Sequence, residues 1–113
     1  MVEVKRMSRE FTEVEIYLMT LDNGIKTCKD LADGTEIEVD GYIEYTDTKD
    51  TGKSEEVFSI LATDGSVYAC TSKTFSRNVI DIANLFKGKK FTIVKQSGTT
   101  KAGKPFIMAS LKH

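Results

Sequence analysis

Residues 66–96, SVYACTSKTFSRNVIDIANLFKGKKFTIVKQ, change period twice. Ser66–Thr71 reads as a short strand. From there the apolar positions Phe75, Val79, Ile82, Ala83 and Phe86 recur at helical spacing, with Ser72 and Thr74 as candidate N-caps. Lys87-Gly88 supplies a basic last turn and a glycine stop. Strand alternation resumes at Lys90–Gln96. One helix therefore stands between two runs of strand, and its placement decides between small β-folds.

Upstream, Thr35–Tyr45 reads TEIEVDGYIEY, with Ile37, Val39, Ile43 and Tyr45 on one parity and Glu36, Glu38, Asp40, Tyr42 and Glu44 on the other. Period-2 alternation of this kind predicts a strand with one buried face. Gly41 falls among the inward positions, where a missing side chain points to a bend, a bulge or close backbone approach. A polar loop, Asp47–Ser54, leads to a second strand, Glu56–Thr63, and Asp64-Gly65 is a hairpin turn into Ser66–Thr71. Downstream, the loop SGTTKAGK at residues 97–104 precedes a last strand, Pro105–Leu111. Pro105 stands at the start of that strand, where a missing N–H does least harm.

The order is β-β-β-α-β-β. It predicts a mainly all-β fold of the OB type, a five-stranded Greek-key barrel with one helix between strands 3 and 4. Small SH3-like barrels lack that helix. Residues 26–113 make up the predicted domain and residues 1–25 an N-terminal extension. In the extension, Phe11, Val14, Leu18 and Leu21 fit a helix, while Val14, Ile16 and Leu18 fit a strand; Asn23-Gly24 ends either. A cap on the open barrel end and an oligomerising arm are both open for it.

The chain has 113 residues, 40% of them hydrophobic and 29% charged, which is one domain's worth of core. No apolar run approaches the ~20 residues of a membrane span. Cys28 and Cys70 form no CxxC pair, so a zinc cage is not expected, and a reducing compartment is. The one histidine is His113, and no GxSxG, P-loop or HExxH pattern is present. The runs Glu13/Glu15, Glu36/Glu38/Asp40 and Glu55/Glu56 read as solvated faces, and Cys70 as a buried thiol. The expectation is a non-enzyme with no cofactor and no metal.

Charge is divided along the chain. Residues 1–65 carry sixteen acids and seven Lys/Arg, residues 66–113 nine Lys/Arg and one acid, Asp81, so a net of −9 is followed by +8. Segregated cations are the footprint of a polyanion site, although surface lysines also serve solubility. Single-strand binding needs cations along the backbone and flat rings for the bases. The candidate cations are Lys73 and Arg77 at the helix start and Lys95, Lys101 and Lys104 on the last hairpin, with Lys49, Lys53, Lys87, Lys89 and Lys90 as outlying ones. Gly98 and Gly103 let loop N–H groups approach a phosphate. The candidate rings are Tyr42, on the charged parity and so facing outward, Tyr45 beside the polar loop, Tyr68 near the Asp64-Gly65 turn, and Phe106 after the basic loop. Core packing and ligand contact both stay open for the three tyrosines. For Phe58 and Phe106 core packing is the nearer reading, and Phe75, Phe86 and Phe91 belong to the core. The alternative to a nucleic-acid site is an OB-type protein–protein interaction module, favoured by a net charge of only −1.

Four segments carry a family resemblance: LADGT (Leu31–Thr35), DGSVY (Asp64–Tyr68), SKT (Ser72–Thr74) and GTTKAGKPF (Gly98–Phe106). Together they resemble the small single-stranded DNA-binding proteins of protein-primed Bacillus phages and related phages of Gram-positive bacteria, over residues 26–111. The resemblance implies a non-catalytic phage replication protein in the bacterial host cytoplasm, coating displaced single strands without sequence preference. Its implied partners are single-stranded DNA and replication proteins, with no membrane. It implies base-binding roles for Tyr45 and Tyr68. The chain departs from the family pattern in Asp47–Ser54, which holds no aromatic residue. It also ends in Leu-Lys-His, so recruitment through an acidic tail is not expected.

Overall fold

The computed structural model describes residues 1–113. In chain order the elements are β1 (Val2–Met7), α1 (Glu13–Thr20), β2 (Lys26–Thr27), a 3-10 turn (Cys28–Asp30), β3 (Glu36–Thr48), β4 (Ser54–Ala62), β5 (Val67–Cys70), α2 (Lys73–Phe86), β6 (Phe91–Thr99) and β7 (Pro105–Leu111). The molecule is mainly β, with seven strands in one curled sheet and two helices, consistent with an OB-like fold. No helix is long and apolar enough to cross a membrane.

The strands run in the order β2-β5-β4-β3-β6-β7, with β1 beside β3. The long strand β3 organises this sheet. β4 takes one of its edges from Val39 to Thr48, and its other edge is shared by β6 over Glu36–Val39 and β1 over Ile43–Asp47. All pairings are antiparallel except β2 with β5. No ladder joins β2 or β5 to β7, so the curl stays a half-barrel, open along that side. The closed five-stranded barrel read from the sequence is corrected to this extent: two short strands are added at residues 1–27, and the ends of the sheet do not meet.

A β-bulge within β3 decides which side chains enter the core. The β3–β4 register steps from Val39 opposite Ala62 to Gly41 opposite Leu61. An extra residue reverses the alternation. Ile37 and Val39 therefore share the main core with Tyr42, while Ile43 and Tyr45 turn to the other face. The outward reading of Tyr42 is overturned for this reason. The side chain is buried, 5.2 Å between ring centroids from Phe58.

The other face of β3, β4 and β5 is covered by the N-terminal segment. Met19 of α1 is fully buried with Ile43, Tyr45, Leu61 and Val67. Thr12 caps α1 in a reciprocal box with Glu15. Ser8 fastens the segment across the bulge. Its N–H donates to the Tyr42 carbonyl at 3.0 Å, and its Oγ accepts from the Tyr42 N–H at 2.9 Å. The Phe11 ring then occupies the space beside Gly41, 2.7 Å from where a β-carbon would stand. Arg9 lies 4.2 Å from the Phe11 ring centroid and ion-pairs with Glu15 and Asp40. Gly41 thus serves both a bulge and a close approach.

On the other side of the sheet α2 packs against β7 and β6, burying Phe75 and Val79. Ser72 caps it by accepting from the Phe75 N–H. It ends where Lys87 takes a left-handed conformation (φ 49°) followed by Gly88 (φ 87°). Asn78 accepts the Ala109 N–H at 3.1 Å, satisfying a donor on the free edge of β7.

Candidate nucleic-acid interface

The open side of the half-barrel is a groove of about 650 Å³. Thr27 and Lys29 form one wall, Pro105, Phe106 and Ile107 of β7 the opposite wall, and Val57, Ala69, Cys70 and Thr71 the floor. Past Val57, Cys70, Thr71 and Ser72 it continues into a cleft of about 100 Å³ that adds Tyr45, Glu44, Lys5 and Lys73. The two together make a path across the end of the sheet, from the last hairpin to the start of α2.

Phe106 is the aromatic ring of the main groove. It is half-buried and stands opposite Gly98 in the β6–β7 ladder. Its ring atoms lie 2.5–3.1 Å from the position of a β-carbon on Gly98, so the ring covers the bare backbone there. Tyr45 meets the adjoining cleft only by its edge, since 6% of the residue is exposed. Burial, with Asp47 and Glu55 nearby, raises its phenol above the ordinary range. Tyr68 is half-buried against the core, outside the groove lining, with Lys26 Nζ 5.6 Å from its ring centroid.

The cations divide into neutralised and unpaired sets. Lys5, Arg6 and Arg9 pair with Glu3, Glu44 and with Glu15 and Asp40; Lys95 and Lys112 pair with Asp33 and Glu36. Lys26, Lys29, Lys49, Lys53, Lys73, Arg77, Lys87, Lys89, Lys90, Lys101 and Lys104 are exposed and make no ion pair. Lys104 directly precedes the groove residue Pro105, and Lys73 lies in the adjoining cleft. Glu55 is the one carboxylate in the main groove lining, so its side of the groove is the less favourable for a phosphate.

Lys95 does not belong with the free cations. It is 3% exposed, and its ammonium donates to Leu31 O at 2.7 Å, Asp33 Oδ1 at 3.1 Å and Ser97 Oγ at 3.0 Å. Three donors are thereby used, which is all an ammonium has. Ser97 Oγ in turn donates to Asp33 Oδ1 at 2.6 Å. The Asp33 carboxyl is held below its ordinary range, first by the Ser97 hydrogen bond and then by Lys95. Lys95 is a staple between β6 and the loop before β3, and its reading as a phosphate contact is corrected accordingly.

Of the residues singled out from the sequence, the structure brings Phe106, Lys104, Lys73 and the edge of Tyr45 to one path. Lys101 sits at the tip of the adjoining hairpin and Arg77 one turn beyond Lys73 on α2. Tyr42, Lys95 and Tyr68 lie elsewhere. Thr27, Lys29, Val57 and Thr71 were not foreseen. They come from β2, the 3-10 turn, β4 and the end of β5, which lie side by side facing β7 across the gap, and no local pattern marks them.

Fold and groove define the class of molecule: a small, mainly-β protein with a curled half-barrel sheet and an open groove along its free side. The family described as phage single-stranded DNA-binding protein matches residues 8–112. The single-stranded DNA-binding protein of Bacillus phage phi29 is 34% identical over 94 residues, covering 78% of this chain and 76% of the phage protein. That of Bacillus phage PZA matches with the same identity and coverage. No solved structure matches significantly. The chain belongs to the phage single-stranded DNA-binding protein family.

Proposed function

We propose that this chain binds single-stranded DNA without sequence preference in phage-type DNA replication. The binding element is the OB-type unit formed by β3, β4, β5, α2, β6 and β7. In this reading the strand runs along the groove between β5 and β7, a base stacks on Phe106, and phosphates follow Lys104, Lys101, Lys73 and Arg77. The observation that carries it is the joining, in a member of this family, of an open groove holding an aromatic ring with cations that no acid neutralises. Stacking is tolerant of sequence because every base has a π-face. One such unit covers on the order of 4–16 nucleotides. Acids of residues 1–65 pair Lys5, Arg6, Arg9, Lys95 and Lys112, while the groove residue Lys29 stays unpaired beside the free cations of the second half.

The test is anisotropy of labelled oligo(dT) at two salt concentrations, with duplex DNA as control. Binding of the single strand, weak binding of duplex and loss of affinity with salt support the reading; no binding at low salt removes it. The second reading, a protein-interaction module, is favoured by α1. It exposes Val14, Tyr17 and Leu21 beside Glu10 and Glu13, an apolar stripe with acidic flanks that does not suit phosphate. A replication protein would be the partner there, and the oligo(dT) titration separates the two roles.

A further inference from the structure

Cys28 and Cys70, the two cysteines of the chain, are buried together in the main core, 0% and 6% exposed. They directly follow the parallel ladder of β2 and β5, in which Lys26 stands opposite Tyr68 and Thr27 opposite Ala69. The ladder ends there: Cys28 opens the 3-10 turn, Cys70 closes β5, and both side chains enter the same core cluster. Paired strands lie ~4.8 Å apart and matched side chains leave on one face, while a disulfide needs Cα atoms roughly 4.4–6.8 Å apart. Thr27 and Ala69, each one residue before a cysteine, are held at the strand spacing, and the two thiols interact directly.

Two further observations bear on a bond between them. β2 is two residues long and its one strand partner is β5, so the wall that carries Thr27 and Lys29 meets the sheet through a single short ladder. Cys70 lines the groove, which gives a small oxidant a way in. The thiols also perturb each other. The hydrogen bond to Cys70 and burial raise Cys28 far above the ordinary thiol range, and Cys70, the thiol that lines the groove, is the one a small disulfide can reach.

We propose that Cys28 and Cys70 are a convertible dithiol, closed by a small-molecule disulfide such as oxidised glutathione into an intramolecular bond that staples the groove wall to β5. Cys70 Sγ attacks the glutathione disulfide, forming a mixed disulfide and releasing one glutathione thiolate. Cys28 Sγ then attacks Cys70 Sγ and releases the second. The two thiol protons pass to the two released glutathiones, so one S–S bond is broken and one made.

The experiment uses the full wild-type chain, folded, with oxidised glutathione and without denaturant, followed by alkylation after unfolding and mass spectrometry. The expected product is a monomer lighter by two hydrogens with no thiol left to alkylate. Its Cys28 and Cys70 peptides are joined, and its melting temperature is raised and returns on reduction. A lasting glutathione adduct, a disulfide-linked dimer or two alkylated thiols would each overturn the proposal. The Cys28→Ser chain is expected to stop at the adduct on Cys70, and absence of that adduct from the folded variant contradicts Cys70 as the attacking group.

Discussion

The ring of Phe106 fills the space that a β-carbon on Gly98 would need, with ring atoms 2.5 and 2.9 Å from that position. The missing side chain at residue 98 is therefore what lets the ring lie on β6 at the groove wall. Gly98→Ala drives the ring off this seat, and Phe106→Ala removes it. With base stacking at ~1–3 kcal/mol, Phe106→Ala lowers oligo(dT) affinity by about five- to 150-fold, and Gly98→Ala weakens it in the same direction. Equal affinities for both variants and wild type in an anisotropy titration would take Phe106 out of the site.

The lysines separate by pairing. Lys101→Ala and Lys104→Ala should each reduce the slope of log K against log salt by ~0.7 and leave the melting temperature alone. Lys95→Ala should do the reverse. It removes three charge-assisted hydrogen bonds from a buried position, destabilising the fold by about 1.5–3 kcal/mol with the salt slope intact. Denaturant melts beside salt titrations distinguish the two patterns.

Tyr42 is a core residue by its contact with Phe58. Tyr42→Ala should cost about 3–5 kcal/mol, as for other large buried rings. Tyr42→Phe keeps the ring, so the variant should fold and bind oligo(dT) as wild type does. Selective loss of binding in a folded Tyr42→Phe protein would contradict this placement.

The Asp33 network gives a pH dependence of fixed sign. Asp33 is held below its ordinary range in the folded state. Its stabilising contribution is therefore full above the unfolded carboxyl value of ~3.9, and it is lost as pH falls through the lower folded value. Asp33→Asn should lower the melting temperature at pH near 7, and its difference from wild type should shrink below pH about 4. A difference of constant size across that range would show that the carboxylate charge is not what the lysine needs.

The helix was legible because Phe75, Val79, Ile82, Ala83 and Phe86 keep one period between Ser72 and Gly88. Tyr42 was not, because parity counting assumes an unbroken strand and the bulge before Gly41 inserts one residue. Gly41 itself carried that warning. Lys95 was legible in principle: it shares a parity with Phe91 and Ile93, which places it inward, but its charge suggested solvent. β1 shows only Val2 and Val4 as alternating apolar positions, too short a signal to read. The groove walls were invisible for a different reason. They meet where the sheet fails to close, which depends on curvature and not on any contiguous stretch of residues.

A single strand lying between β5 and β7 touches residues that α1 and β1 do not share. The most direct measurement is a two-dimensional amide NMR titration of the full chain with oligo(dT). Shifts are expected to concentrate at Thr27, Lys29, Ala69, Thr71, Phe106 and the Lys101–Lys104 hairpin, with α1 unchanged. Shifts confined to α1 and β1, with the groove residues unmoved, would contradict it.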